Sequence, residues 1–447
     1  MAKKNQATQI PTDLWGGIFH SDNRGFYTSL EFLALVGGGF DDPVMQPPDE
    51  NRHITITAPG HLTARRVAFD ALETHEQEAL DEFVEEEAQE PVKQLLRGIK
   101  VHIPNTGRAG TSWQGSHFVP YGKGLVHWDA RHKRNRPLKE RIYFRGAGTL
   151  AYVVICSDPD EKRLEETREA FEEIFGREHF MGMLLSVFEE HEGEIYQPSK
   201  ERKEPWRKEL GLREPLVDRL IAKDSRVHND EWDELLRRCV HSIVTATKAP
   251  HVVRLDALFH IIPLCLTMTI LGRSARRLGK DRPHIVIDCS PSGGRTNEVR
   301  QAAHRSFVRM SKLLMTSLQK VAADRDMEVT TSKLKQFHAW FTRGAPAIGL
   351  CNALKGSRRF VLSESLLEAL VLATGRDEMT FESFVDDWLY QQFGFILDES
   401  AASFHGLDRE ADLSVFEDNA QHLSDTLDGL GLMQSYSDST RMVRYEA

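Results

Sequence analysis

Leu255-Asp-Ala-Leu-Phe-His-Ile-Ile-Pro-Leu-Cys-Leu-Thr-Met-Thr-Ile-Leu271 is the most apolar run of the chain, and its reading decides the fold. From Leu255 to Leu271 it stands at the lower edge of the length that spans a bilayer. It also holds Asp256, His260 and Pro263. A charge, an imidazole and a proline inside so short a run point to a core helix, kinked or started by Pro263, rather than a membrane span.

Working outward, apolar residues recur at helix spacing before this run: Leu216, Leu220, Trp232, Leu235, Leu236, Val240, Ile243 and Val244. The expectation is helix throughout 216–277. After the run, His284-Ile-Val-Ile-Asp288 reads as a short strand and Cys289-Ser-Pro-Ser-Gly-Gly294 as a turn. A long helix is expected over 297–325. On the N-terminal side, 192–214 is polar and punctuated by Pro198, Pro205 and then Pro215, the composition of a linker.

The segment 1–60, with glycines clustered at 16, 17, 25 and 37–39, reads as short strands and loops, with 30–36 a short helix or strand. A helix is expected over 62–98, with Phe69, Leu72, Leu80, Phe83 and Val84 inward and an unbroken acidic face from Asp70 to Glu90. Such a face is solvated or docks a basic partner. The run 150–156, Leu-Ala-Tyr-Val-Val-Ile-Cys, reads as a buried strand stopped by Ser157-Asp-Pro-Asp160, and a charged helix follows over 161–175.

The C-terminal segment 363–447 has a different rhythm. Ser363 caps a helix to Ala373 that Gly375 closes, and Thr380 caps a second helix with Phe381, Phe384, Val385, Trp388 and Leu389 on one face. A third helix is expected over 413–427, and Leu430-Gly-Leu-Met433 leads through Ser437-Asp-Ser439 into a terminal hairpin. Three helices and a hairpin are the order of a winged helix. Its candidate recognition helix carries Glu417, Asp418 and Asp425, so direct duplex reading is disfavoured and docking to another protein, or to the basic middle, is expected.

Charge is sorted along the chain. Residues 1–92 carry 6 Lys/Arg against 17 Asp/Glu, 93–362 carry 47 against 32, and 363–447 carry 4 against 18. A basic middle between acidic ends predicts one surface for a polyanion and others for different partners. The densest basic stretch, 100–145, holds Arg108, Lys123, Arg131, Lys133, Arg134, Arg136, Lys139, Arg141 and Arg145, interleaved with Trp113, Phe118, Tyr121, Trp128, Tyr143 and Phe144. Cations suit phosphates and flat rings suit unstacked bases. On the helix after Gly294, Arg305, Arg309 and Lys312 fall on one face, with Arg295 and Arg300 near its start. The turn Ser290–Thr296 matches neither the Walker pattern nor GxGxxG, so it reads first as an ordinary strand-to-helix connection, with a phosphate cradle as the alternative.

No catalytic signature is present. Asp288 ends a strand as a nuclease carboxylate would, but no partner carboxylates can be nominated. His117, His127, Asp129 and His132 lack zinc-site spacing, so no metal and no cofactor is expected. The five cysteines form no CxxC pair, which reads as buried thiols in a reducing compartment. Met-Ala-Lys-Lys-Asn-Gln has no apolar h-region, so a cytoplasmic location and no membrane partner are expected.

Val361 to Thr374 leading into Met379 to Phe395, with Leu430 to Val443, resembles accessory subunits of multi-gene bacterial anti-phage defence systems. The resemblance covers roughly 216–447 and includes the basic middle. It implies a degenerate winged helix and a partner-dependent role beside an ATPase or nuclease, and it carries no catalytic residue across.

The fold class expected is α+β, mainly α-helical. A mixed domain is expected over 1–192, with the basic loop-rich segment at 100–148. A helical middle with a short strand spans 216–359, and an acidic winged-helix-like domain spans 360–447. The expected function is a non-catalytic subunit that binds DNA or RNA and docks other protein subunits. A metal-dependent nuclease or phosphotransferase, and a pure scaffold without nucleic-acid contact, are the alternatives. Acidic ends folded over the basic surface would make the protein autoinhibited.

Overall fold

A computed structural model of the chain describes residues 2–21, 24–37, 45, 47–48, 53–57, 67–68, 74–99, 119, 131–133, 136–138, 146–176, 217–221, 225–291, 298–352, 357–409, 411–437 and 440–445. The protein is mainly helical. The helices are α1 (Ala2–Trp15), α2 (Phe26–Gly37), α3 (Thr74–Phe83), α4 (Glu86–Gly98), α5 (Ala147–Cys156), α6 (Glu161–Phe175), α7 (Glu231–Val244), α8 (His251–Arg277), α9 (Glu298–Asp324), α10 (Thr331–Ala347) and α11 (Glu364–Leu372). A composite helix over 381–393 follows, then α12 (Glu399–Phe404) and α13 (Ser414–Gly429). Strands are short: β1 (His53–Thr57), β2 (Arg131–Lys133), β3 (Arg136–Leu138), β4 (Val217–Ile221), β5 (Ile285–Val286), β6 (Glu378–Thr380), β7 (Phe395–Ile396), β8 (Met433–Ser437) and β9 (Thr440–Arg444). The chain divides into two compact units, 1–29 with 224–447 and 30–223, and the division falls inside α2.

The first unit is built around α8. Residues 255–271 lie inside a helix that runs on through Pro263, and every side chain from Leu255 to Ala275 except Asp256 is buried. Among the described residues α8 is the one helix long and apolar enough to cross a membrane, and 94% of its most apolar stretch is buried inside the protein. Helices α1, α7, α9, α10 and α11 pack on it. Proline removes one helical N–H and leaves the carbonyl four residues back without its partner. Here that carbonyl is Phe259, and the buried Ser29 hydroxyl donates to it at 3.3 Å and to Leu258 at 3.1 Å. The helix therefore does not break at Pro263. At Gly272 an added Cβ would overlap the ring of Trp232, so only glycine lets α7 approach this closely.

Several polar groups inside this core are matched, while the buried Trp232 Nε1 has no hydrogen-bond partner among the described residues. Arg273, 4% exposed, donates to both oxygens of Asp230 at 2.9 and 3.0 Å, to Asp233 at 2.6 Å and to the Trp15 carbonyl. Trp15 Nε1 and Ser317 Oγ both donate to Ser274 Oγ, at 2.8 and 2.9 Å, which ties α1 and α9 to α8.

From Ser363 onward the expected helices and hairpin are present, with β6, β7 and the short α12 added between them. Ser363 and Thr380 cap their helices by accepting from Leu366 N and Ser383 N. Strands β6, β9 and β8 form one antiparallel sheet in that order, with Glu378 opposite Arg444 and Met433 opposite Val443. Helix 381–393 contains a π segment, Phe384–Tyr390, and Trp388 Nε1 donates to Leu370 O at 2.9 Å. β7 then pairs in parallel with β5, Ile285 opposite Phe395.

In the second unit, β1 pairs antiparallel with β4, His53 opposite Ile221. Helix α5 stands where a strand is expected over 150–156. It is buried along its whole length, and an apolar run bounded by turns satisfies a buried helix as well as a buried strand. The cap comes from elsewhere. The Glu31 carboxylate accepts from Gly146 N, Gly148 N and Thr149 Oγ1 at 3.0, 2.9 and 2.7 Å. Phe32 packs near Tyr152 and Phe171, which seats α2 against α5 and α6.

Other expectations also need correction. Among the described residues of 1–60 are two helices and one strand, with Gly16 at φ +89° closing α1 and Gly25 at φ +55° preceding α2. Within 62–98 the described residues do not form one helix: α3 and α4 are parted at Val84 and Glu85, where Gln89 Nε2 donates to the Val84 carbonyl and to Asp81 Oδ1. The stretch 216–277 is a strand and two helices, since β1 offers 217–221 a pairing edge. The linker expected over 192–214 lies outside the described residues.

Candidate nucleic-acid interface

Helix α9 buries Val299, Ala303, Phe307, Met310 and Leu314, as its spacing predicts, and Arg305, Arg309 and Lys312 fall elsewhere. Arg309 and Lys312 are exposed and Arg305 is half-buried. Positions i, i+4 and i+7 lie within an arc of about 60° and along about 10 Å of helix. The only carboxylates of α9 are Glu298 and Asp324, at its two ends, so none interrupts the cations between them. Helix α10 packs beside it and carries Lys333, Lys335 and Arg343 with no acid. A hydrogen bond of 2.8 Å between Ser311 Oγ and His338 Nε2 joins the two helices, next to Lys312 in the chain. Burial lowers the pKa of His338, the hydrogen bond with Ser311 offsets part of that, and the charge of Arg358 adds to the lowering.

Under the start of α9 lies Asp288, its side chain 0% exposed. Its Oδ2 accepts from Arg300 Nε at 3.1 Å and from Arg359 Nε at 2.5 Å, and its Oδ1 from Ser290 N at 3.0 Å. The Asp288 N–H donates to Phe360 O at 3.0 Å. Next to it, Asn419 on α13 donates to Ile287 O and Leu397 O and accepts from Cys289 N, at 3.0, 2.9 and 2.8 Å. One amide thus clamps β5, β7 and α13 together. The carboxylate that resembled a nuclease ligand is engaged by two guanidiniums. Burial pushes the neighbouring Cys289 thiol well above its usual range, helped by the Asp288 charge, so it is no ready nucleophile.

The segment 357–359 brings two more cations. His304 Nδ1 and Arg358 O lie 2.7 Å apart, Arg358 donates to Thr342 O at 2.8 Å, and its guanidinium stands 5.9 Å from the Phe307 ring centre. Arg358 and Arg359 were missed in the sequence, where only their adjacency marks them.

Of the other expected site residues, Arg131 and Lys133 lie in β2 and Arg136 in β3, a small hairpin of the second unit whose register pairs Lys133 with Arg136. Arg108, Lys123, Arg134, Lys139, Arg141, Arg145 and Arg295 lie outside the described residues, as does most of the Ser290–Thr296 turn. Among the described residues no group of three or more His, Cys, Asp or Glu side chains is placed to hold a metal. His260 is a core residue, its Nδ1 2.9 Å from Ile348 O.

Comparison with known proteins finds no family model, no curated protein and no solved structure that matches this chain.

Proposed function

We propose that this protein is a non-catalytic, nucleic-acid-binding and partner-docking subunit of a bacterial multi-protein complex, working in the cytoplasm in anti-phage defence beside an ATPase or nuclease. The observation that carries the reading is the α9 surface: Arg305, Arg309 and Lys312 on one side of a long helix whose carboxylates are confined to its ends. Long-range attraction from such a surface is generic to phosphodiester backbones, and α10 and segment 357–359 extend it.

The C-terminal part is read as a winged-helix-like module. In its favour are the helix α13 running into the β8–β9 hairpin and the sheet order β6-β9-β8, although β7 and the short α12 are inserted between the 381–393 helix and α13. Helix α13 presents exposed Glu417, Asp418, Asp425 and Asp428, which repel phosphate. This module is therefore assigned to protein partners and the α9 surface to nucleic acid. The five free cysteines agree with a reducing compartment.

The test is binding of fluorescent duplex DNA, single-stranded DNA and single-stranded RNA by the full chain across a salt series. A steep loss of affinity between about 50 and 200 mM salt is expected. The triple substitution Arg305→Glu, Arg309→Glu, Lys312→Glu is expected to weaken binding at least a hundredfold while leaving the circular dichroism spectrum unchanged. Absence of binding at low salt, or equal binding by the triple variant, overturns the reading in favour of a scaffold without nucleic-acid contact.

A further inference from the structure

We infer that Arg359, seated with Arg300 on Asp288, forms a binding site for a phosphate group. Both guanidiniums donate through Nε to the same oxygen, Asp288 Oδ2. The other carboxylate oxygen is engaged by Ser290 N. Two positive side chains thus meet on one carboxylate, in a cluster whose side chains are 13%, 17% and 0% exposed. Arg359 is half-buried and none of its nitrogens is a buried group lacking a partner, so the N–H groups it does not give to Asp288 are open to solvent and to a ligand. Arg300 Nη2 reaches Pro291 O at 3.3 Å. Arg359 Nη1 and Nη2 find no acceptor among the described residues.

Bonding through Nε holds each guanidinium plane in place and turns its Nη edge away from the carboxylate. Asp288 is a positioning residue, and Arg359 supplies the fork that matches two phosphate oxygens. Arg300 is the third residue of α9, so the positive end of a long helix adds to the same spot. His304 and Arg358 lie alongside, and the raised Cys289 thiol supplies no counter-charge. An oxyanion of the phosphate class satisfies the Arg359 fork and suits the positive field around it.

The source of the phosphate is either a nucleic-acid backbone or a free phosphate or nucleotide; the backbone source rests on the reading of α9 given above. Two measurements separate them. The first is the melting temperature of the full chain, with 31P line widths, as inorganic phosphate replaces chloride at constant ionic strength and pH. A saturable rise in melting temperature with broadening is expected. Arg359→Gln is expected to weaken phosphate binding at least tenfold, and Arg359→Lys, which keeps the charge and loses the fork, by an intermediate factor.

The second measurement is oligonucleotide binding. Arg359→Gln is expected to reduce the slope of log affinity against log salt by about one. Phosphate binding lost in Arg359→Gln, with no oligonucleotide binding by the wild type, supports the site, assigns it to free phosphate and sinks only the nucleic-acid reading. Wild-type protein indifferent to phosphate, or a folded Arg359→Gln variant that responds as the wild type does, overturns the site whatever the oligonucleotides do. If Arg359→Gln does not fold, wild type and Arg359→Lys decide by the same criteria: no wild-type response, or equal responses in the two, overturns it.

Discussion

The hydroxyl of Ser29 shares its one proton between the carbonyls of Leu258 and Phe259, at 3.1 and 3.3 Å, and the second is the carbonyl that Pro263 leaves without a helical N–H. It gives that carbonyl a partner inside the core, where α8 continues through the proline. Ser29→Ala leaves a buried carbonyl under-satisfied, and the expected loss is about 1–3 kcal/mol of unfolding free energy. Urea denaturation reads it. Ser29→Ala combined with Pro263→Ala restores the helical bond, so the double variant is expected to regain most of the loss, and a strictly additive double variant contradicts the assignment.

Arg273 is the charge on which the packing of α7 against α8 depends. Replacing it by Met leaves Asp230 and Asp233 facing each other without their shared cation. The expected loss is about 3–5 kcal/mol, a large share of the stability of a typical domain, and chemical denaturation monitored by tryptophan fluorescence is the check. Arg276→Met, whose partners Asp230 and Glu231 it meets with a side chain 55% exposed, is expected to cost under about 1 kcal/mol.

Glu31 makes the second unit sensitive to pH. Burial is the largest influence on its carboxyl, and the hydrogen bonds from Thr149, Gly146 and Gly148 offset only part of it, so the pKa rises from 4.5 to about 7. The folded unit therefore holds a proton that the unfolded chain releases between those values. Stability from this group is fully present below about pH 4.5, falls as pH rises towards 7 and is flat above, a change of roughly 3 kcal/mol. Hydrogen exchange of the α5 amides from about pH 5 to 8, corrected for intrinsic rates, is expected to show that decline. Glu31→Gln is expected to abolish the decline, and a slope that persists in the variant contradicts it.

Asn419 offers a test of the joint between α13 and the β5–β7 pair. Asn419→Leu strips partners from Ile287 O, Leu397 O and Cys289 N at once, and about 3 kcal/mol is the expected loss. Because these groups adjoin Asp288, the same variant is expected to speed hydrogen exchange of the Asp288 and Cys289 amides before global unfolding.

Local chemistry was legible in the amino-acid order. Ser363 and Thr380 cap their helices where their spacing says, because a cap needs only residues within one turn. The terminal hairpin and the α9 stripe were legible for the same reason: their periodicity is written in consecutive residues. The run 150–156 was not, since an apolar stretch buried on all sides has no polar face to reveal its period, and its cap comes from Glu31.

Asp288 marks the same limit. Alone at a strand end it suggests a turn or a metal ligand. Its partners Arg300 and Arg359 lie beyond any spacing rule that could link them to it. The sequence by itself determined the helical character, the charge sorting and the caps at Ser363 and Thr380, because these depend on neighbours along the chain. The tertiary structure alone decided that α8 survives Pro263, that 147–156 is a helix and that Arg300 and Arg359 meet, because each requires a hydrogen-bond or charge partner that only folding brings near.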